Sequence, residues 1–139
     1  MLETEPRIRE EFVKTGKVKY VFHHILDLGS DRHSQAAECA GDQGQFWPMH
    51  ELLYEQQDKL TGRNLDAALI GRARELKLDE AQFTQCLTSN KYAKLVKDAH
   101  DAAKAQGIRI RPTFQIGQQR IQGALPWPQF QALLAEATR

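Results

Sequence analysis

The nine residues VKYVFHHIL, at 18–26, constrain this chain most. Successive side chains of a strand point to opposite faces. Val18, Tyr20, Phe22 and Leu26 therefore share one face, and Val21 and Ile25 the other. A strand that is apolar on both sides belongs in the middle of an α/β layer, with helices covering each face. The spacing before it predicts a helix over 3–15. Leu2, Ile8, Phe12 and Val13 lie on its stripe, Pro6 sits near its start, and Gly16 is its left-handed stop.

After this strand the chain reads as helical from Ser30 to Gln106, in several pieces. Ser30 or Asp31 caps a helix carrying Ala36, Ala37, Cys39 and Ala40. FWPMHELLYEQQ places Pro48 in its first turn, where the ring is tolerated. Asn64 precedes an apolar stripe of Leu65, Ala68, Leu69, Ala73 and Leu76, and Asp79 opens a helix with Phe83, Cys86 and Leu87 at i, i+3, i+4. Ser89 starts another, with Tyr92, Leu95, Val96, Ala99 and Ala103 inward and Gly107 as its stop. Two short strands, Thr113–Ile116 and Arg120–Gln122, are joined across Gly117–Gln118. Pro126–Pro128 then introduce a helix with Phe130, Leu133, Leu134 and Ala137 inward. The order is helix, strand, helical block, hairpin, helix. The block is too long for a simple crossover and reads as an insertion.

Charge and composition narrow the function. Nineteen basic and eighteen acidic residues leave a net charge of +1, without the basic footprint of a dedicated nucleic-acid binder. No apolar run approaches the ~20 residues that insert across a bilayer. MLETEPRIREEF is charged throughout, unlike a signal peptide. His23 and His24 are adjacent in the strand and point apart, His33 and Cys39 lie off a common helix face, and His50 sits on another helix. No spacing suits a metal site, and no cofactor motif is present. A mid-chain oddity remains: Arg111 stands directly before Pro112 at the mouth of a strand, where a proline fits only as first residue, on an edge or at a bulge.

Three stretches carry a resemblance. AAECAGDQGQFWPMHELLYEQQD (36–58), with Asp42-Gln43-Gly44-Gln45-Phe46-Trp47 the most typical part, resembles the helical insertion of DsbA-like thiol–disulfide oxidoreductases. GIRIRPTFQIGQQRIQGALPWPQF (107–130) is similar to the family's C-terminal thioredoxin element, and KTGKVKYVF to its strand after the first helix. The resemblance implies an α/β, thioredoxin-like sheet with an inserted helical subdomain, divided as 1–29, 30–106 and 107–139. In this family a first strand leads into Cys-x-x-Cys at the N-terminus of the first long helix, whose first thiolate is the nucleophile. Met1 falls inside that helix, and no Cys-x-x-Cys occurs in these residues. The sheet is therefore expected to be incomplete, with its first strand missing between 18–26 and the hairpin. An unpaired edge of this kind invites a second chain, so a homodimer or a rearranged sheet is expected.

The family's pattern also makes Pro112 a cis-proline, with Arg111, Pro112 and Thr113 binding an extended substrate polypeptide by edge hydrogen bonds. Arg111 either lowers the pKa of a neighbouring thiolate or is an ordinary exposed cation. An imidazole of His23 or His24 could contact such a thiolate. Cys39 and Cys86 look like the structural disulfide of some relatives; read from the residues alone, two buried thiols are the alternative. Two functions remain open: a thiol–disulfide oxidoreductase lacking its N-terminal part, or a complete non-catalytic protein that binds peptide or self-associates near Pro112. Redox sensing by Cys39 and Cys86 is a third. The resemblance suggests an extracytoplasmic location, or a cytoplasmic one if no upstream signal exists.

Overall fold

A computed structural model describes residues 3–26 and 30–139. Met1 and Leu2, assigned above to the first helix, and the junction near 29 lie outside the described residues. The molecule divides into two units, Met1–Phe22 with Lys104–Arg139, and His23–Ala103.

In the first unit, α1 (Thr4–Ile8) runs on as a π-helical turn, Arg9–Val13. Gly16 ends it at φ +75°, a conformation that costs a residue without Cβ little. Its N–H bonds Val13 O at 3.0 Å and the Lys17 N–H bonds Phe12 O at 2.9 Å, the paired bonds of a Schellman stop. The hairpin is β1 (Thr113–Ile116) and β2 (Gln119–Gln122), antiparallel, with Thr113 opposite Gln122 and Ile116 opposite Gln119. Gly117 at φ +57° takes the first central position of its two-residue turn. The last helix, Trp127–Ala137, closes the unit. Ile8, Phe12, Ile121, Phe130 and Leu134 form the core, with Val18, Tyr20, Phe114, Ile116 and Trp127 packed around them. Glu5 is buried in this unit, and its carboxylate accepts from the Tyr20 hydroxyl at 2.9 Å.

Residues 18–26 depart from the expectation of a central strand. Their burial alternates, Val18, Tyr20, Phe22 and His24 sheltered and Lys19, Val21 and His23 exposed, yet they join no strand ladder. The period of two survives because Val18 and Tyr20 pack on the core. A ladder needs a neighbouring backbone, and β1 has β2 as its one strand partner among the described residues. The second apolar face is likewise uncovered at Val21, which is 54% exposed.

The second unit contains α2 (Asp31–Gly41), α3 (Phe46–Glu55), α4 (Leu65–Glu75), α5 (Glu80–Thr88) and most of α6 (Ala93–Ala105). Counting along the chain makes the closing helix of the first unit α7. The core here is Ala36, Ala40, Met49, Leu69, Ala73, Phe83 and Leu87 with their neighbours. Asp79 caps α5 by accepting from the Gln82 N–H at 2.9 Å, whereas Asn64 makes no side-chain cap. The helix expected from Ser89 begins at Ala93, because Asn90 turns left-handed at φ +55°. Leu95 and Ala137, expected inward, face outward.

The Asp42-Gln43-Gly44 turn clamps this unit. The Gln43 side chain donates to Asp79 O at 3.1 Å and accepts from the Asp79 N–H at 2.7 Å, as a backbone partner would. The Asp42 carboxylate accepts from Lys91 at 2.7 Å and from the Tyr92 hydroxyl. Arg32 forks onto Asp66 at 2.8 and 2.7 Å and donates to Asn90 at 2.7 Å, joining α2, α4 and the approach to α6.

Lys77 ends α4 at φ +57°, with the Leu78 N–H bonded to Ala73 O at 3.0 Å. A side chain in that region clashes with its own carbonyl, so Lys77→Gly is expected to raise stability by about 0.5–1 kcal/mol in urea denaturation. Acid behaviour follows from Arg32, whose hydrogen bonds hold the Asp66 carboxyl below the usual carboxylate range. A depressed folded pKa gives stability that is present above the unfolded pKa, near 4, and is lost as pH falls through the lower folded value. The Asp66 side chain is 43% exposed, so screening limits the effect. Asp66→Asn is expected to cost about 0.5–1 kcal/mol at pH 7, and the difference should vanish in denaturation titrations well below pH 4.

Candidate functional site

The site is built at the entry to β1. Gly107, at φ +75°, stops α6 with its N–H on Lys104 O at 2.9 Å, and residues 108–111 then bend towards the strand. The Arg111–Pro112 peptide is cis. The Thr113 hydroxyl donates to Ile110 O across this bend, and Pro112 O accepts the Gly123 N–H at 2.8 Å. That last bond fixes which way the strand faces. In an antiparallel ladder the paired positions alternate, so Pro112, Phe114 and Ile116 turn their backbone groups to β2. Thr113 and Gln115 turn theirs the other way, onto an edge that no strand covers among the described residues.

Side chains hold this edge in place. Phe114 meets Phe130 edge-on at 4.6 Å, which pins β1 to α7. Trp127 lies 6.4 Å from Phe130 and 6.5 Å from Phe12, with the Arg7 guanidinium 5.7 Å over its ring. Opposite Gln115, Arg120 donates to Gln106 O at 2.9 Å and ties the hairpin to the residues after α6. At the mouth, Arg111 is exposed, Pro112 and Thr113 are half-buried, and Ile110 is 48% exposed. Arg111, Pro112 and Thr113 thus come together at the mouth of β1, by virtue of being consecutive.

Cys39 and Cys86 are in the other unit. Their sulfurs are bonded to each other, and both side chains are buried in the core of α2 and α5. The sequence contains no other cysteine, so the 139 residues hold no thiol for exchange. The Arg111 cation therefore has no thiolate of this chain to stabilise. His24 is buried with Nε2 at 2.7 Å from Glu38 Oε1, and His23 is exposed; neither meets a thiolate. His50 lies among Phe46, Trp47 and Tyr54. Among the described residues no three His, Cys, Asp or Glu side chains gather as metal ligands.

Sequence reasoning missed the outward turn of Thr113 and Gln115. The signal was there in the two-residue turn at Gly117–Gln118, which sets the register and thereby the facing of every residue in β1.

A family model described as thioredoxin matches residues 2–136. The chain is 27% identical over 135 residues to a Bacillus anthracis protein named as disulfide bond formation protein D, covering 92% of this chain and 60% of that one. A Rickettsia prowazekii protein named as a protein-disulfide oxidoreductase is 28% identical over 112 residues, 78% of this chain and 41% of its own length. A Na(+)/H(+) antiporter of Salinispora arenicola is 32% identical over 126 residues, 88% of this chain and 19% of the antiporter. The chain thus spans between about a fifth and three fifths of the length of these relatives. With mixed helices, a small antiparallel hairpin and a helical insertion, the chain belongs to the thioredoxin family, in its DsbA-like branch.

Proposed function

We propose that these 139 residues are the polypeptide-docking scaffold of a DsbA-like thiol–disulfide oxidoreductase and do not themselves exchange disulfides. The observation that carries this reading is the pairing of the only two cysteines inside a core, away from solvent. Exchange requires an attacking thiolate with access to a disulfide, and a bonded, buried pair offers none. What the chain does offer is the mouth of β1 at Arg111, Pro112 and Thr113, suited to holding an extended peptide by backbone hydrogen bonds, while the outward backbone of Thr113 and Gln115 faces the side where the family's first strand is expected. The reacting cysteine pair then comes from outside these residues. Ion transport is not carried over from the antiporter, because the same stretch also matches the oxidoreductases. Among the described residues no helix is long and apolar enough to cross a membrane.

A second reading has its own support. The open β1 edge would equally pair with the β1 edge of another copy, giving a non-catalytic, self-associating protein. Insulin reduction with dithiothreitol separates scaffold from enzyme. The 139-residue chain is expected to be no faster than the uncatalysed reaction, and denatured, unreduced protein should show no titratable thiol. Turnover that disappears in Cys39→Ser would contradict the proposal.

A further inference from the structure

His100 is an ionisable side chain on the buried stripe of a helix. It stands four residues after Val96 and three before Ala103, the two buried residues of α6, and is itself half-buried. Its Nδ1 accepts the backbone N–H of Leu26 at 3.0 Å. Leu26 closes the stretch 18–26, which joins no strand ladder, so its backbone depends on partners outside a sheet. The bond also has a particular place along the chain. Leu26 comes four residues after Phe22, where the first unit hands over to the second, and His100 comes three before Ala103, where the second hands back. One imidazole therefore fastens the outgoing chain to the returning one, within the second unit.

That geometry fixes where the ring carries its hydrogen. A backbone N–H can only donate, so Nδ1 is bare and the neutral ring holds its hydrogen on Nε2. A protonated ring has a hydrogen on both nitrogens and no acceptor left. His24, two residues before Leu26, sits the other way round. Its Nε2 lies 2.7 Å from the Glu38 carboxylate, which accepts, so a second proton on that ring leaves this bond in place and makes it charge-assisted. The same stretch is thus held by two imidazoles of opposite response: acid removes the Leu26 anchor and keeps the His24 one. On α6 the ionisable neighbours one turn away are Lys97, paired with Asp101, and Lys104, which is exposed. Across from the ring, the stretch 23–26 brings His23, exposed, and His24 with Glu38 of α2. Asp27 lies outside the described residues.

We propose that His100 is a proton-operated latch on the point where the chain enters the second unit. Neutral, it holds Leu26 against α6. Protonated, it turns a hydrogen towards the Leu26 N–H, and the two donors part. Histidine is the side chain whose charge changes between about pH 5 and pH 8, so the latch works in that interval. Release is local: His24 stays on Glu38, and the core of Ala36, Met49, Leu69 and Phe83 takes no part. What loosens is the chain's entry to the second unit, next to its exit. The inference stands apart from the docking reading and needs no peptide at the mouth of β1.

The test is amide hydrogen exchange on the full chain at about pH 8 and about pH 5. Protection factors are compared, so that the intrinsic pH dependence of exchange cancels. Leu26 protection is expected to fall about tenfold on going to the acid sample, as the loss of one hydrogen bond allows. Met49, buried in α3 with its N–H on Gln45 O at 3.1 Å, should keep its protection. His100→Asn offers an amide oxygen that does not titrate, so in that variant Leu26 protection should be equal in the two samples. Nitrogen NMR of the wild-type ring in the alkaline sample should show Nδ1 bare and the hydrogen on Nε2. Equal wild-type protection of Leu26 in the two samples overturns the latch, and so does a hydrogen on Nδ1 in the alkaline one. A fall in His100→Asn as large as in the wild type also overturns it, since the proton then acts elsewhere. A parallel fall at Met49 would mean that the whole unit opens, which contradicts a local latch.

Discussion

Alanine at both Cys39 and Cys86 is expected to lower the stability of the fold by about 4 kcal/mol. The bond joins residues 47 apart, and closing a loop of that length removes about this much conformational freedom from the unfolded chain. The side chains lie within the core formed by Ala36, Ala40, Phe83 and Leu87, so cutting the link also loosens the contact between α2 and α5. Alanine keeps the site apolar, which confines the loss mainly to the cross-link. Guanidinium denaturation checks this: the double variant and the reduced wild-type protein should unfold at similar, lower midpoints. A double variant within about 1 kcal/mol of the oxidised wild type would mean that the bond contributes little to the fold.

Phe130→Ala is expected to cost about 3–5 kcal/mol. Phe130 is 1% exposed and sits where α7, the hairpin and the first helix converge, against Phe114 and beside Trp127. Truncation leaves a void among aromatic rings that cannot collapse without moving β1, so peptide docking should weaken along with stability. Phe130→Leu keeps most of the volume and should recover most of both. Denaturation curves for the two variants, read beside anisotropy with a fluorescein-labelled extended peptide, check the link. A strongly destabilised Phe130→Ala protein that still docks peptide at wild-type affinity would show that the edge is held by something other than this packing.

Much of this fold was legible because its signals are local. Gly16, Gly107 and Gly117 mark stops and a turn by the positive φ each adopts, and the apolar spacing of Phe83, Cys86 and Leu87 alone defines the buried face of α5. The stretch 18–26 was legible in its alternation but not in its pairing, because a ladder depends on a neighbouring backbone rather than on the strand's own residues. The same distinction explains the clamps. Arg32 meets Asp66 and Asn90 across 34 and 58 residues, and Gln43 meets Asp79 across 36, contacts that no periodicity announces. Asp42 and Gln43, which looked like a family signature, turn out to be these fastenings. At the candidate site, Arg111-Pro112-Thr113 was visible as a motif. The facing of Thr113 and Gln115 emerged only with the register.

Residue-resolved amide hydrogen exchange on the 139-residue chain tests the facing of β1, and with it the incomplete sheet, most directly. Phe114 and Ile116, bonded to β2, should be protected. Thr113 and Gln115 should exchange rapidly, because no strand covers that side of β1 among the described residues. If Thr113 and Gln115 are as protected as Phe114 and Ile116 in the monomer, that side of β1 is covered and the sheet is not the incomplete one described.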